Sequence, residues 1–304
     1  MAAVEESSAG GNWKGAALRA VGVALTLLAC FFVWKAVRGQ ADEVLPYLSS
    51  REFLVAGISC SLLWVLLNAV LGLLWRELLG LTGSEVGRLD SVRISLLTQV
   101  AKYLPGNVFH FAGRIVLAGS LGISKKRAGV ATLLEAVFLV GVASLISLRL
   151  IATLPYGPWV MGAGLVLFLV AVSFAKKKLE RLWREVKLER SGLVRILALA
   201  VVFSLLVFVI QATMFFWIES TLFGGLDLSP WQRLELVSAS WGAGFLVVGS
   251  PGGLGVREYV FSYFADSGEV GPRLVAIAAI TRLCSIAGDL LSLLLGVILR
   301  KRQK

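Results

Sequence analysis

The chain holds 304 residues, 57% of them hydrophobic and 16% charged, where an ordinary soluble domain carries about 25% charged residues. A mean hydropathy of +0.82 over that length excludes a soluble globular protein, a disordered chain and a secreted disulfide scaffold, and predicts an all-α integral membrane protein. The net charge of +11 would suggest nucleic acid in a soluble protein, but the basic residues sit in loops beside apolar runs, so they report membrane topology and no nucleic-acid partner is expected.

Residues 1–15 read as a cytoplasmic tail, followed by a single polytopic membrane domain over 16–299 and a basic cytoplasmic tail over 300–304. The first apolar run, 16–37, imitates a lipoprotein signal, with Lys14 and Arg19 ahead of Leu27-Leu28-Ala29-Cys30. The chain stays apolar after Cys30, through Phe31-Phe32-Val33-Trp34, which favours a retained transmembrane helix over a cleaved leader. Further runs long enough to cross about 30 Å of hydrocarbon lie at 53–75, 128–150, 159–175, 193–217 and 274–299, giving six predicted spans. Two more apolar regions are interrupted: 94–121 at Pro105-Gly106-Asn107, and 232–265 at Pro251-Gly252-Gly253. Each piece beside a break is about 15 to 22 Å of helix, too short to span alone. Between the runs, 176–190 (KKKLERLWREVKLER) is the one long polar segment. Leu179, Leu182, Trp183 and Val186 make an apolar stripe there that suits a helix on an anionic cytoplasmic leaflet, with a solvated linker as the alternative.

Basic residues orient the spans. Nineteen Lys and Arg fall in the N-terminal segment through Arg19, in 76–93, 118–127 and 176–190, and in the tail from Arg300; four fall in the loops of the opposite side. That asymmetry places both termini in the cytoplasm of a plasma (inner) membrane. Region 94–121 then begins and ends inside, and 232–265 begins and ends outside, so each is predicted to be a re-entrant hairpin. Span, hairpin, span occurs twice, over 53–150 and 193–299, with the two Pro-Gly breaks 146 residues apart. This is the pattern of an inverted repeat.

Cys30, Cys60 and Cys284 lie far apart in apolar runs and His110 is the single histidine, so no disulfide framework, metal site, histidine triad or cofactor is expected. The residues that packing does not explain are ionisable ones at bilayer depth, each costing about 2.5–3.5 kcal/mol on insertion scales: Lys102, Arg114, Glu135, Arg257, Glu258, Arg282 and Asp289. They must pair or line a hydrated cavity. Helical spacing puts Arg282, Ser285, Asp289 and Ser292 on one stripe, Asn107, His110 and Arg114 on another, and Ser61, Trp64 and Asn68 on a third. At the two breaks, proline ends one half-helix and Gly106, or Gly252, Gly253 and Gly255, permits the reversal. The next half-helix starts at mid-membrane with its N–H groups free, an attractive place for phosphate or carboxylate. Arg114 and Arg282 are the leading candidates to grip that anion, in a cavity expected between the two hairpins.

The runs KYLPGNVFHFAGR, Leu134-Glu135 and SPGGLGVRE resemble the flippase-like transmembrane domain of the lysylphosphatidylglycerol synthase family, and the likeness extends over nearly the whole chain from about residue 15. The resemblance implies movement of an anionic-headgroup or headgroup-modified lipid between leaflets. It also implies site roles for Lys102, Tyr103, Pro105, Gly106, Arg114, Glu135, Pro251, Gly252, Gly253, Gly255, Glu258 and Arg282. Multidomain members append a soluble aminoacyl-transferase domain, which these 304 residues do not contain, so polyprenyl-phosphate glycolipids are as eligible as lysylphosphatidylglycerol. The expected protein is a non-enzymatic lipid flippase whose substrate site comprises Lys102, Tyr103, Asn107, His110, Arg114, Glu135, Arg257, Glu258, Arg282 and Asp289. Its partners would be membrane lipids, with a separate lipid-modifying enzyme as a further partner. The alternatives are a membrane-embedded headgroup transferase using Glu135 or Glu258 as a base, and a noncatalytic companion of such an enzyme.

Overall fold

The computed structural model describes residues 44–104, 108–153, 190–247, 255–264 and 270–301, with single positions elsewhere. The tail 1–15, nearly all of the span 16–37, much of 159–175 and 176–190, residues 302–304, and Pro105, Gly106, Asn107, Pro251 and Gly252 lie outside the described residues.

All regular structure among the described residues is helical. Helix α1 (Arg51–Gly80) starts where the Ser50 hydroxyl accepts a hydrogen bond from the Phe53 amide at 3.0 Å, satisfying one of the donors a helix start leaves open. Helix α2 (Arg88–Thr98) tightens into a 3-10 segment, Gln99–Tyr103. Helix α3 (Phe109–Gly119) and helix α4 (Lys125–Ile146) follow, and Ser147 separates α4 from the short α5 (Leu148–Ala152). Helix α6 (Arg190–Phe223) is the longest among the described residues. Helix α7 (Pro230–Leu246) begins at a capping box in which Ser229 and Gln232 each bond the other's backbone amide. Helices α8 (Val256–Phe264) and α9 (Val270–Lys301) complete the described chain.

Among the described residues, four helices are long and apolar enough to cross a membrane: α1, α4, and the stretches Gly192–Phe223 and Pro272–Leu299 of α6 and α9. They coincide with the runs expected at 53–75, 128–150, 193–217 and 274–299. The interrupted regions are pairs of shorter helices, with α2 and its 3-10 extension ahead of α3, and α7 ahead of α8. The order long, short, short, long therefore occurs twice, as α1 to α4 and as α6 to α9. The nine residues of α8 reach about 14 Å at 1.5 Å per residue, less than half a bilayer core.

Helix α1 is the centre of the bundle, packed against α2, α4, α6 and α9. Its contact with α9 is close because Gly288 offers no side chain. A Cβ there would stand 2.6 Å from the Trp64 Cβ and 2.8 Å from the Ser61 carbonyl oxygen. In lipid, where apolar surface gains nothing by leaving the solvent, such close backbone approach and polar contacts supply the association. The lipid-facing sides carry exposed apolar residues such as Ile58, Leu62, Val202, Leu290 and Leu294.

Candidate functional site

The Gly288 crossing brings Asp289 of α9 against the polar stripe of α1. Trp64 Nε1 donates to Asp289 Oδ1 at 2.8 Å, and Asn68 Nδ2 donates to the same oxygen and to Ser292 Oγ, both at 3.0 Å. The 3-10 segment delivers the other two partners to Oδ2, the Tyr103 hydroxyl at 2.7 Å and the Lys102 ammonium at 2.6 Å. Asp289 is fully buried, and four donors with one full countercharge satisfy it as a carboxylate. Lys102 also lies over the Trp64 ring, 4.8 Å from its centroid.

A second buried pair sits next to this hub. Arg114 of α3 is ion-paired with Glu135 of α4 and donates to Ser95 Oγ at 3.3 Å; Ser95 in turn donates to the Asn68 carbonyl at 2.8 Å. Arg114 and Glu135 are both buried to within 1%. Trp75, beneath the guanidinium at 5.8 Å, donates to Thr132 Oγ1 at 3.1 Å. Of the two leading anion-gripping candidates, Arg114 thus faces Glu135. His110, on α3, is buried beside Phe111 with its Nδ1 unpartnered.

Arg282 instead lines a pocket, together with Arg257, Glu258, Gln211, Trp64 and Ser285. Among the described residues its lining comes from α6, α7, α8 and α9, with Trp64 of α1 beside them. Arg257 Nε and both Nε and Nη2 of Arg282 are buried with no hydrogen-bond partner, which is costly unless a ligand or water supplies one. Room for Arg257 comes from two glycines, since a Cβ on either Gly244 or Gly253 would stand 2.9 Å from its Nε. Gly253 and Gly255, at φ +76° and +79°, take the left-handed backbone that glycine adopts without strain. The pocket's free volume is about 40 Å³, room for about two waters.

Lys102, Arg257 and Arg282 are close enough to repel one another, and Asp289 and Glu258 oppose them. The structure thus brings Lys102, Tyr103, Arg257, Glu258, Arg282 and Asp289 into one region, joined by Trp64. It links Arg114 and Glu135 to that region through Ser95 and Asn68.

Sequence reasoning missed two ion pairs. Arg149 of α5 meets Glu235 of α7 with two bonds, at 2.9 and 2.6 Å, and Trp231 Nε1 donates to the same carboxylate at 2.9 Å. Arg233 grips Glu219 twice at 2.7 Å, while the Leu226 amide donates to Glu219 Oε1 at 2.6 Å. The available signal was two carboxylates, Glu219 and Glu235, each a short step from an apolar run and from an arginine. At span ends such charges read as ordinary loop residues.

No protein-family model and no curated protein matches the chain.

Proposed function

We propose that the chain is a lipid translocase of a plasma membrane, moving an anionic-headgroup or headgroup-modified lipid between leaflets without chemical change. The observation that carries this reading is the pocket in which Arg257 and Arg282 hold unpartnered N–H groups within an apolar helical bundle. Two guanidinium groups with spare donors are suited to a phosphate, and a ligand whose phosphate enters there from the bilayer leaves its acyl or prenyl chains in lipid. The small free volume describes a closed state that must open toward each leaflet in turn.

In this reading the chain has six spans, and the two pairs of short helices are re-entrant hairpins, α2–α3 from the cytoplasmic side and α7–α8 from the opposite side. The repeated long, short, short, long order supports an inverted repeat of the kind that builds alternating-access transporters. The charge asymmetry of the loops supports cytoplasmic termini. Protein reconstituted into sealed vesicles containing fluorescent phosphatidylglycerol tests the proposal. The expected result is rapid loss of the inner-leaflet fraction protected from a membrane-impermeant quencher, abolished by Arg257→Ala with Arg282→Ala. Vesicles no leakier to labelled lipid than protein-free ones would refute it, and headgroup exchange in detergent would identify a transferase instead.

A further inference from the structure

The polar groups of the pocket divide by what each has left to offer. The spare Arg257 and Arg282 N–H groups can only donate. The hydroxyls have already used their protons: Ser240 donates to the Arg257 carbonyl at 3.3 Å, Thr281 to Ile277 at 2.7 Å, and Ser285 to the Arg282 carbonyl at 2.7 Å. A hydroxyl has one proton, so these three face the pocket as acceptors. Gln211 donates one Nε2 proton to the Val207 carbonyl, leaving its second N–H and its carbonyl oxygen, and Glu258 brings a negative charge to the lining. A ligand that satisfies this lining needs anionic oxygens for the arginines and, close beside them, donors for the hydroxyls.

Those donors belong to hydroxyl groups rather than to an ammonium. Lys102, Arg257 and Arg282 face Asp289 and Glu258, so one positive charge is left over, and a phosphodiester balances it. An added ammonium would restore the excess charge away from water, where it is least tolerated. Part of the aromatic surface that attracts ammonium groups is also occupied. Lys102 covers Trp64, Trp241 stacks on Phe245 with centroids 5.1 Å apart, and Phe215 stacks on Phe261 at 5.5 Å.

Resting on the translocase reading above, we infer that the lipid taken by this pocket joins a phosphate to a neutral hydroxylated headgroup, a polyol or a sugar, and that amine-bearing headgroups are excluded.

The test uses the full-length protein in sealed phosphatidylcholine vesicles, each batch carrying a trace of one tail-labelled lipid: phosphatidylglycerol, phosphatidylinositol, phosphatidylmethanol or phosphatidylethanolamine. Phosphatidylmethanol keeps the phosphodiester and has no headgroup donor. Phosphatidylglycerol or phosphatidylinositol is expected to cross at least about tenfold faster than the other two, since a site built to bond a hydroxyl rejects the analogue without it. Thr281→Val, which removes an acceptor at nearly constant shape, should bring the favoured lipid down toward the phosphatidylmethanol rate. Equal rates for phosphatidylmethanol and phosphatidylglycerol would overturn the hydroxyl assignment, and a phosphatidylethanolamine rate matching phosphatidylglycerol would overturn the exclusion of amines; in both cases the translocase reading survives. Uptake of radiolabelled glycerol 3-phosphate with all four lipids static would make the ligand a soluble polyol phosphate and overturn the inference. If nothing crosses, the translocase reading fails and takes the inference with it.

Discussion

Asp289→Asn keeps the shape of the hub and removes its charge. The carboxylate oxygens of Asp289 receive Trp64, Asn68, Tyr103 and Lys102. An amide offers one acceptor oxygen to these four donors and turns its own N–H groups toward two of them. Lys102, whose side chain is 16% exposed, loses its countercharge in a place that cannot solvate it. Removing one member of a buried pair typically costs about 3–5 kcal/mol, a shift of roughly 150- to 5,000-fold in the unfolding equilibrium at about 1.4 kcal/mol per factor of ten. Reversible unfolding in mixed detergent micelles, followed by helical circular dichroism, measures it. Adding Lys102→Met to the same chain removes the stranded cation, and most of the lost stability should return. A single variant within about 1 kcal/mol of the parent would show that Asp289 is not the countercharge of Lys102. A double variant as unstable as the single one would trace the loss to shape instead.

Arg257→Lys and Arg282→Lys should leave the protein folded but slow lipid translocation by at least about tenfold each, because the charge survives and the paired donor geometry does not; unchanged rates in sealed vesicles would make both arginines structural. Gly288→Ala places a methyl group 2.6 Å from Trp64 and should cost about 1–3 kcal/mol by overpacking, whereas Gly57→Ala, with nothing within 4 Å, should be neutral or slightly stabilising in the same unfolding assay. Glu235→Gln should cost less than Glu219→Gln, since the Arg149 side chain is 65% exposed; Glu219→Gln should cost about 1.5–3 kcal/mol, since Arg233 is 10% exposed and the Leu226 amide also depends on that carboxylate. For topology, cysteines replacing the exposed Tyr156 and Asp227 should react with an impermeant thiol reagent in intact cells, and one replacing Lys176 should not. Gly157 is a poor labelling position, because a Cβ there would stand 2.2 Å from the Ile151 carbonyl oxygen.

The four long helices were legible because an apolar run of span length has few other uses. The stripe on α9 was legible by its period, and so was the need for partners, since a lone charge in hydrocarbon is expensive. The identity of the partners was not. One stripe on α9 serves two purposes, with Asp289 and Ser292 turned to α1 and Arg282 turned to the pocket. Helical spacing fixes a shared face but not which neighbour meets which turn. That choice depends on Gly288, whose missing side chain lets Trp64 reach Asp289. Arg114 and Arg282 looked equivalent as basic residues on polar stripes, and only the packing of α3 on α4 distinguishes the paired arginine from the one that lines the pocket.

The hub around Asp289 also imposes an order on biosynthesis. Tyr103 and the carboxylate it bonds are 186 residues apart in the chain, so at about 5–20 residues per second roughly 10–40 s of translation separate them. Glu135 follows Arg114 by 21 residues, and that pair closes almost as soon as α4 is made. Lys102, Trp64 and Asn68 wait for the last helix. A ribosome halted before residue 289 leaves a nearly complete bundle in which Lys102 has no Asp289 carboxylate to pair with.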